Sequence, residues 1–181
     1  MFLLPTHWTS LYNIHHPLAW AWLDQDTVGF FFSQEDRLQN VFRRFLAKGF
    51  AGLVWHDRGD WASYAWVSPP DTFGPPHLPR SIRKLPVYWI FYCRTKEKYQ
   101  GRGLFKASLS LLGRWARGRE PEAEVYIDTE PNNFPSRRAI EAVGFLPKGT
   151  ITTWTLRLPK LSLIIGGRWD QNAPHPKEEQ K

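Results

Sequence analysis

Lys98-Tyr99-Gln100-Gly101-Arg102-Gly103 is the stretch on which the reading of this chain turns. Before it, Val87 to Thr95 is a β-branched and aromatic run of strand type. After it, Leu104, Ala107, Ser108, Leu111 and Trp115 trace one face of a helix over Gly103 to Arg117, with Arg102, Lys106, Arg114 and Arg117 outside that face or at its ends. A strand, a glycine turn and a helix in this order can hold a polyanion. The first helical turn leaves backbone N–H groups without intrahelical partners and carries partial positive charge. Gly101 and Gly103 remove side chains from the approach, while Lys98 and Arg102 add charge.

Glycine spacing alone does not name the ligand. A dinucleotide fingerprint needs a third glycine where Lys106 stands, and no Gly-Lys-Ser/Thr follows to make a nucleotide-triphosphate loop. A second block adds what the first lacks. Glu124 to Glu130 reads as a strand, Asn133 can cap a helix that tolerates Pro135 in its first turn, and Gly144-Phe145 closes it.

Together the two blocks resemble the GNAT superfamily of acyl-CoA-dependent N-acyltransferases. The family's Arg/Gln-x-x-Gly-x-Gly/Ala loop corresponds to Lys98 through Gly103, with Lys98 departing at the first position. Its later turn and terminal Gly-Phe correspond to Asn133 and Gly144-Phe145. The resemblance covers residues 87–158 well and the N-terminal half only by order of elements. It implies an α+β fold: a mixed, mostly antiparallel central sheet flanked by helices, with two parallel strands, Val87 to Thr95 and Glu124 to Glu130, splayed into a V.

It also implies an acyl-CoA cosubstrate, most simply acetyl-CoA, lying in that V. Its pyrophosphate would rest on Lys98, Gln100, Gly101, Arg102, Gly103 and Leu104. Its pantetheine arm would run along the backbone at Cys93, Arg94 and Thr95, with Asn133 on the other side. The implied reaction is direct attack of an amine on the thioester, with a backbone N–H near Cys93 or Arg94 polarising the carbonyl. Where the family often places a tyrosine as general acid this chain has Ile140, and no glutamate lies near Val87. Asp128, Glu130 and Tyr126 are therefore the candidate catalytic residues, with Tyr92 a further alternative. Many members of the family form dimers, so a homodimer is compatible with the resemblance.

The rest of the chain fits one domain over residues 1–169 and a polar, disordered tail over 170–181. Met1 to Asp26 supports only a strand or a short helix. Ser33 can cap a helix whose apolar face is Leu38, Val41, Phe42 and Phe45, and Gly52–Trp55 with Trp61–Val67 reads as a hairpin. Arg58-Gly59-Asp60 is turn chemistry there rather than an adhesion signal. Ser68 to Pro86 holds six prolines and reads as an ordered loop of the sort that walls a cleft. Ile151–Leu158 and Leu161–Trp169 are two further strands.

Net charge is +7, but residues 80–120 carry eleven cations against two glutamates. That field attracts anions, so it suits a nucleotide cosubstrate and makes an anionic or aromatic amine acceptor the first expectation. It leaves a nucleic-acid-binding domain as an alternative. Ile140 leaves another, a catalytically silent CoA-binding module. The single Cys93 rules out an internal disulfide and favours a reducing cytoplasm. It has no evident histidine partner and reads as a strand cysteine. The six histidines lack ligand spacing, so no metal is expected, and the short apolar start predicts neither a signal peptide nor a membrane span.

Overall fold

The computed structural model describes residues 1–6, 8, 16–158 and 161–174. The elements that position the site are β1 (Phe2–Leu4), β2 (Ala19–Trp22), α1 (Gln25–Phe31), α2 (Asp36–Ala47), β3 (Ala51–Asp57), β4 (Asp60–Ser68), α3 (Arg80–Arg83) and β5 (Tyr88–Thr95). A single 3₁₀ turn (Glu97–Tyr99) leads to α4 (Leu104–Arg119), β6 (Val125–Ile127), α5 (Phe134–Ala142), β7 (Leu146–Pro147), β8 (Thr150–Leu158) and β9 (Leu161–Asp170).

Seven strands form one sheet in the order β2-β3-β4-β5-β6-β1-β7. Only β5 and β6 run parallel, joined by the crossover helix α4; every other pair is antiparallel. This is the mixed, mostly antiparallel sheet flanked by helices that the sequence predicts. Alternation along the strands builds two cores. Leu53, Trp55, Val67, Tyr88, Ile90, Val125 and Ile127 face α4 and α5, meeting Leu104, Leu112 and Ile140. Val54, Trp66, Trp89, Phe91 and Tyr126 face the other way, where α1, α2 and the proline-rich loop bring Val28, Phe42, Phe45, Leu78 and Ile82. Phe42 alone meets the rings of Phe32, Tyr64 and Trp66 within 4.7–5.1 Å, which is where much of the aromatic content goes.

Several boundaries differ from the sequence reading. α2 starts at Asp36 behind Glu35, not Ser33, and Glu35 makes no capping bond; its carboxylate instead accepts the Trp61 indole N–H at 2.5 Å. The start of the chain supplies β1, which inserts between β6 and β7, and Asp24 caps the unforeseen helix α1 through a reciprocal bond pair with Thr27. β6 is three residues long, because the chain leaves the sheet at Asp128. β8 and β9 pair only with each other, and β9 runs to Asp170. The tail from residue 175 onward lies outside the described residues.

Candidate active site

β5 and β6 pair only through Tyr88–Val125, Trp89–Tyr126 and Ile90–Ile127. β5 then continues to Thr95 while β6 ends, so the two diverge beyond Ile90. At the same point β5 is bulged. Tyr64 pairs with Arg94 and Trp66 with Phe91, so Tyr92 and Cys93 together stand opposite Ala65. Tyr92 takes φ +49°, a strained value for a residue with a side chain. A bulge leaves one residue outside the ladder and re-aims its backbone. Here that happens at the mouth of the V.

The loop after β5 is the glycine turn expected to hold a pyrophosphate. Gly101 and Gly103 have φ +73° and +83°, and Gly103 caps the 16-residue helix α4. A Cβ at Gly101 would meet no heavy atom within 4 Å, so the glycine is required by the backbone and leaves an open approach. These features fit a pyrophosphate. Leu104 is buried beneath the loop, and the Gln100 side-chain amide donates to the Thr95 carbonyl at 3.3 Å. The Thr95 hydroxyl lies 2.9 Å from Ser63 Oγ. The Lys98 and Arg102 cations both lie over the Tyr99 ring.

Lys98 is also shared with a carboxylate. Lys96 and Lys98 donate to the two oxygens of Asp60 at 2.6 and 3.0 Å, and these bonds, Lys96 first, hold the Asp60 carboxyl below its usual value. Because Asp60 already engages Lys98, Lys98→Gln is expected to weaken CoA binding less than Arg102→Gln. Titration calorimetry at two ionic strengths separates the two, and an equal loss would contradict it.

Asn133 caps α5, its Oδ1 accepting from Ser136 N at 3.2 Å. Ile140 is fully buried against α4 and the sheet. Ile140→Tyr is therefore expected to overpack the core, lowering stability by about 1–3 kcal/mol without raising turnover, as thermal melts and rate assays would show. Cys93 is partly buried, and burial pushes its thiol up to about 12, which leaves it a poor nucleophile.

On the opposite face of the sheet from α4, Asp128 receives three contacts. Trp89 Nε1 donates to Oδ1 at 2.7 Å, and His77 Nε2 lies 3.0 Å from Oδ2 and 3.1 Å from Oδ1. Burial pushes this carboxyl up, but the bonds from His77 and Trp89 outweigh it and hold it below the usual value. With Nε2 turned to Asp128, the imidazole presents Nδ1 as its basic nitrogen. His77 and Asp128 line a cavity of about 240 Å³ together with Thr129, Glu130, Arg137, Thr150 and Thr153.

The sequence reading singled out Asp128 and Glu130 but passed over His77. Its one available signal was position, a lone histidine in the loop expected to wall the cleft. Tyr126 lies elsewhere: its ring is buried against Trp89 and Trp169, its hydroxyl donates to Glu124 at 3.2 Å, and burial raises its pKa far above the usual range. Arg94 faces a separate recess with Glu35, Tyr64 and Tyr92.

Several cations of the basic segment have intramolecular partners. Arg117 donates to the carbonyls of Leu4, Pro5 and Pro121, Arg83 to that of Gly74, and Arg119 lies over Trp115. Among the described residues there is no group of three metal-ligating side chains, and no helix is long and apolar enough to cross a membrane.

Residues 8–145 match the model of the acetyltransferase (GNAT) family. No curated protein matches the chain by sequence. Among solved structures, the aminoglycoside N-acetyltransferase AAC(6′)-Iy in complex with CoA is 16% identical with a TM-score of 0.58, over 77% of this chain and 100% of that one. The same enzyme with a bisubstrate analogue, CoA-S-monomethyl-acetylneamine, gives 15% and 0.60, over 79% and 100%. AAC(6′)-Ih from Acinetobacter baumannii gives 12% and 0.57, over 78% and 99%. At these identities the likeness is one of fold.

Proposed function

The chain belongs to the acetyltransferase (GNAT) family, and from that premise we propose that it moves an acetyl group from acetyl-CoA to a hydroxyl-bearing primary amine, with His77 as the general base. The observation that carries this reading is the His77–Asp128 pair at 3.0 Å, set next to the point where β5 and β6 diverge. Gly101, Gly103 and the first-turn amides of α4 hold the pyrophosphate, with Arg102 and Lys98 adding charge. The β5 backbone from Cys93 to Thr95 lines the arm, and Asn133 flanks it.

In this reading the acceptor occupies the cavity of Asp128, Glu130 and the three threonines. The two carboxylates are partly offset by Arg137, and the threonine hydroxyls match hydroxyls, so in this reading the lining favours a hydroxylated amine over the aromatic acceptor that composition suggests. The neighbours' aminoglycoside acceptors are of that chemistry. Once neutral, the amine attacks the thioester carbon: the N–C bond forms, the C–S bond breaks, and the amine proton passes to His77 Nδ1. Asp128 holds the imidazole in the tautomer that can accept it and stabilises the imidazolium. In this reading the backbone N–H groups at the Tyr92–Cys93 bulge polarise the carbonyl. The departing thiolate has a conjugate acid of pKa about 8.5 and recovers the proton from His77, so no tyrosine at position 140 is needed.

A colorimetric thiol-release assay with acetyl-CoA and a panel of amino sugars, polyamines and aromatic amines tests this. Release is expected with the amino sugars first. CoA binding without release from any acceptor would make the chain a silent binding module instead.

A further inference from the structure

His16 stands in the segment before β2, and its ring reaches the glycine turn from there. Its Nδ1 accepts the backbone N–H of Leu18 at 3.1 Å, and its Nε2 lies 3.2 Å from the carbonyl oxygen of Arg102, 86 positions away. A backbone N–H can only donate, so Nδ1 carries no proton and Nε2–H is the donor to Arg102. The two contacts select one tautomer of a neutral ring. Pro17 follows, and a residue before proline favours extended backbone, which prepares the local bond to Leu18. The ring also stands edge-on to Trp55, with centroids 5.4 Å apart. Trp55 is buried and donates to Ser108 Oγ at 3.0 Å, and that hydroxyl donates to the Leu104 carbonyl at 3.0 Å, in the first turn of α4.

The two halves of the loop are held differently. The first is tied to the β3–β4 hairpin: Lys96 N donates to the Ala62 carbonyl at 2.9 Å, the Tyr99 hydroxyl to Asp57 at 3.3 Å and Lys98 to Asp60. The second is Gly101-Arg102-Gly103, with both glycines at positive φ. Glycine admits either sign of φ at little cost, so peptide planes between two glycines turn over more readily than those between ordinary residues. A trans peptide is planar, and its C=O and N–H point in opposite directions. Holding the Arg102 carbonyl therefore sets the direction of the Gly103 N–H, at the cap of α4.

We propose that His16 is a positioning residue for the cosubstrate: by holding the Arg102 carbonyl, it keeps the Arg102–Gly103 peptide in the orientation that presents the start of α4 to the pyrophosphate. This rests on the reading of the turn as the CoA site. His16 acts through the turn, so its effect falls on binding and not on acyl transfer. Side-chain reach separates this role from a local one. A glutamine extends its amide nitrogen as far as Nε2 and can still donate to Arg102. An asparagine puts its oxygen where Nδ1 stands, keeps the bond to Leu18 and ends short of the turn.

Titration calorimetry of the full chain with CoA is the test. His16→Ala and His16→Asn are expected to bind CoA about two- to tenfold more weakly, the loss of one neutral hydrogen bond, while His16→Gln stays within about twofold of the wild type. A purely local role predicts the reverse order, with the asparagine variant unimpaired. Two readouts need no CoA. Proton–nitrogen correlation of the imidazole, assigned with the alanine variant, should show the Nε2–H tautomer, and the amides of residues 102–104 should exchange faster in His16→Asn than in the wild type. Wild-type affinity in His16→Asn, a glutamine variant as weak as the alanine one, an Nδ1–H tautomer or imidazolium, or unchanged exchange would each overturn the proposal. A wild type that binds no CoA would sink the cofactor reading and the positioning role with it, a failure told apart from the others by a retained tautomer and exchange difference.

Discussion

His77→Ala is expected to lower kcat about 10²–10⁴-fold, the usual contribution of a positioned general base, while CoA affinity stays at the wild-type value. The separation follows from placement. His77 sits on the face opposite α4, its ring 6.5 Å from that of Phe91, whereas Gly103 caps α4 on the other face. Asp128 stays ionised near neutrality. Its folded-state carboxyl is depressed, so the stability it contributes is complete above its unfolded value of 3.8 and is lost as pH falls through the lower folded one. Asp128→Asn should keep the cavity's shape but donate to Nε2, turning the basic nitrogen the wrong way, with a loss close to that of the alanine variant. Unchanged turnover in His77→Ala would remove the base from the mechanism.

How much of this was legible in the sequence depends on the range of the interaction involved. The glycine turn into α4 was legible because its information is local. A positive-φ turn needs glycine, a helix start needs free approach to its amides, and both requirements appear within six residues. The V was legible through two such blocks at the right separation. Ile140 showed where the family's acid is missing, and its burial explains why that position holds an apolar side chain. The His77–Asp128 pair was not legible, because the two residues lie 51 positions apart and meet only when the proline-rich loop folds over β5 and β6. Nothing periodic marks such a meeting. The same limit applied to β1, which pairs with residues 125–127 from the opposite end of the chain, and to Lys98, whose charge is shared with Asp60 across 38 positions. Asp128 was found as a residue but not as a partner. Glu124 to Glu130 read as a long strand because β-branched and acidic residues alternate there; the strand stops at Ile127, and Asp128 turns to Trp89 and His77.

Gly101→Val should be the most damaging single change in the cradle. At φ +73° a β-branched side chain is a genuine outlier, costing about 1–3 kcal/mol if the loop keeps its shape. Should the loop instead relax to negative φ, the amides that begin α4 lose their aim. In the first case the strain is common to free and bound protein and lowers stability; in the second it must be restored on binding, and at 1.4 kcal/mol per tenfold it corresponds to CoA binding weaker by about 5–150-fold. A second effect has a different origin. The Cβ direction at Gly101 is open, with no heavy atom within 4 Å, so a side chain there meets nothing in the protein and instead occupies the space through which an anion must approach. Gly101→Asn separates the two causes, because asparagine tolerates the left-handed region that valine does not. The asparagine variant should recover most of the thermal midpoint lost by valine, a few degrees for a chain of this size, yet still bind CoA more weakly than the wild type. If asparagine restored both, backbone strain alone would account for the glycine. If it restored neither, the loop would need glycine for a reason other than its φ. Recovery of stability without recovery of affinity is the pattern expected of a loop whose open side is a binding surface.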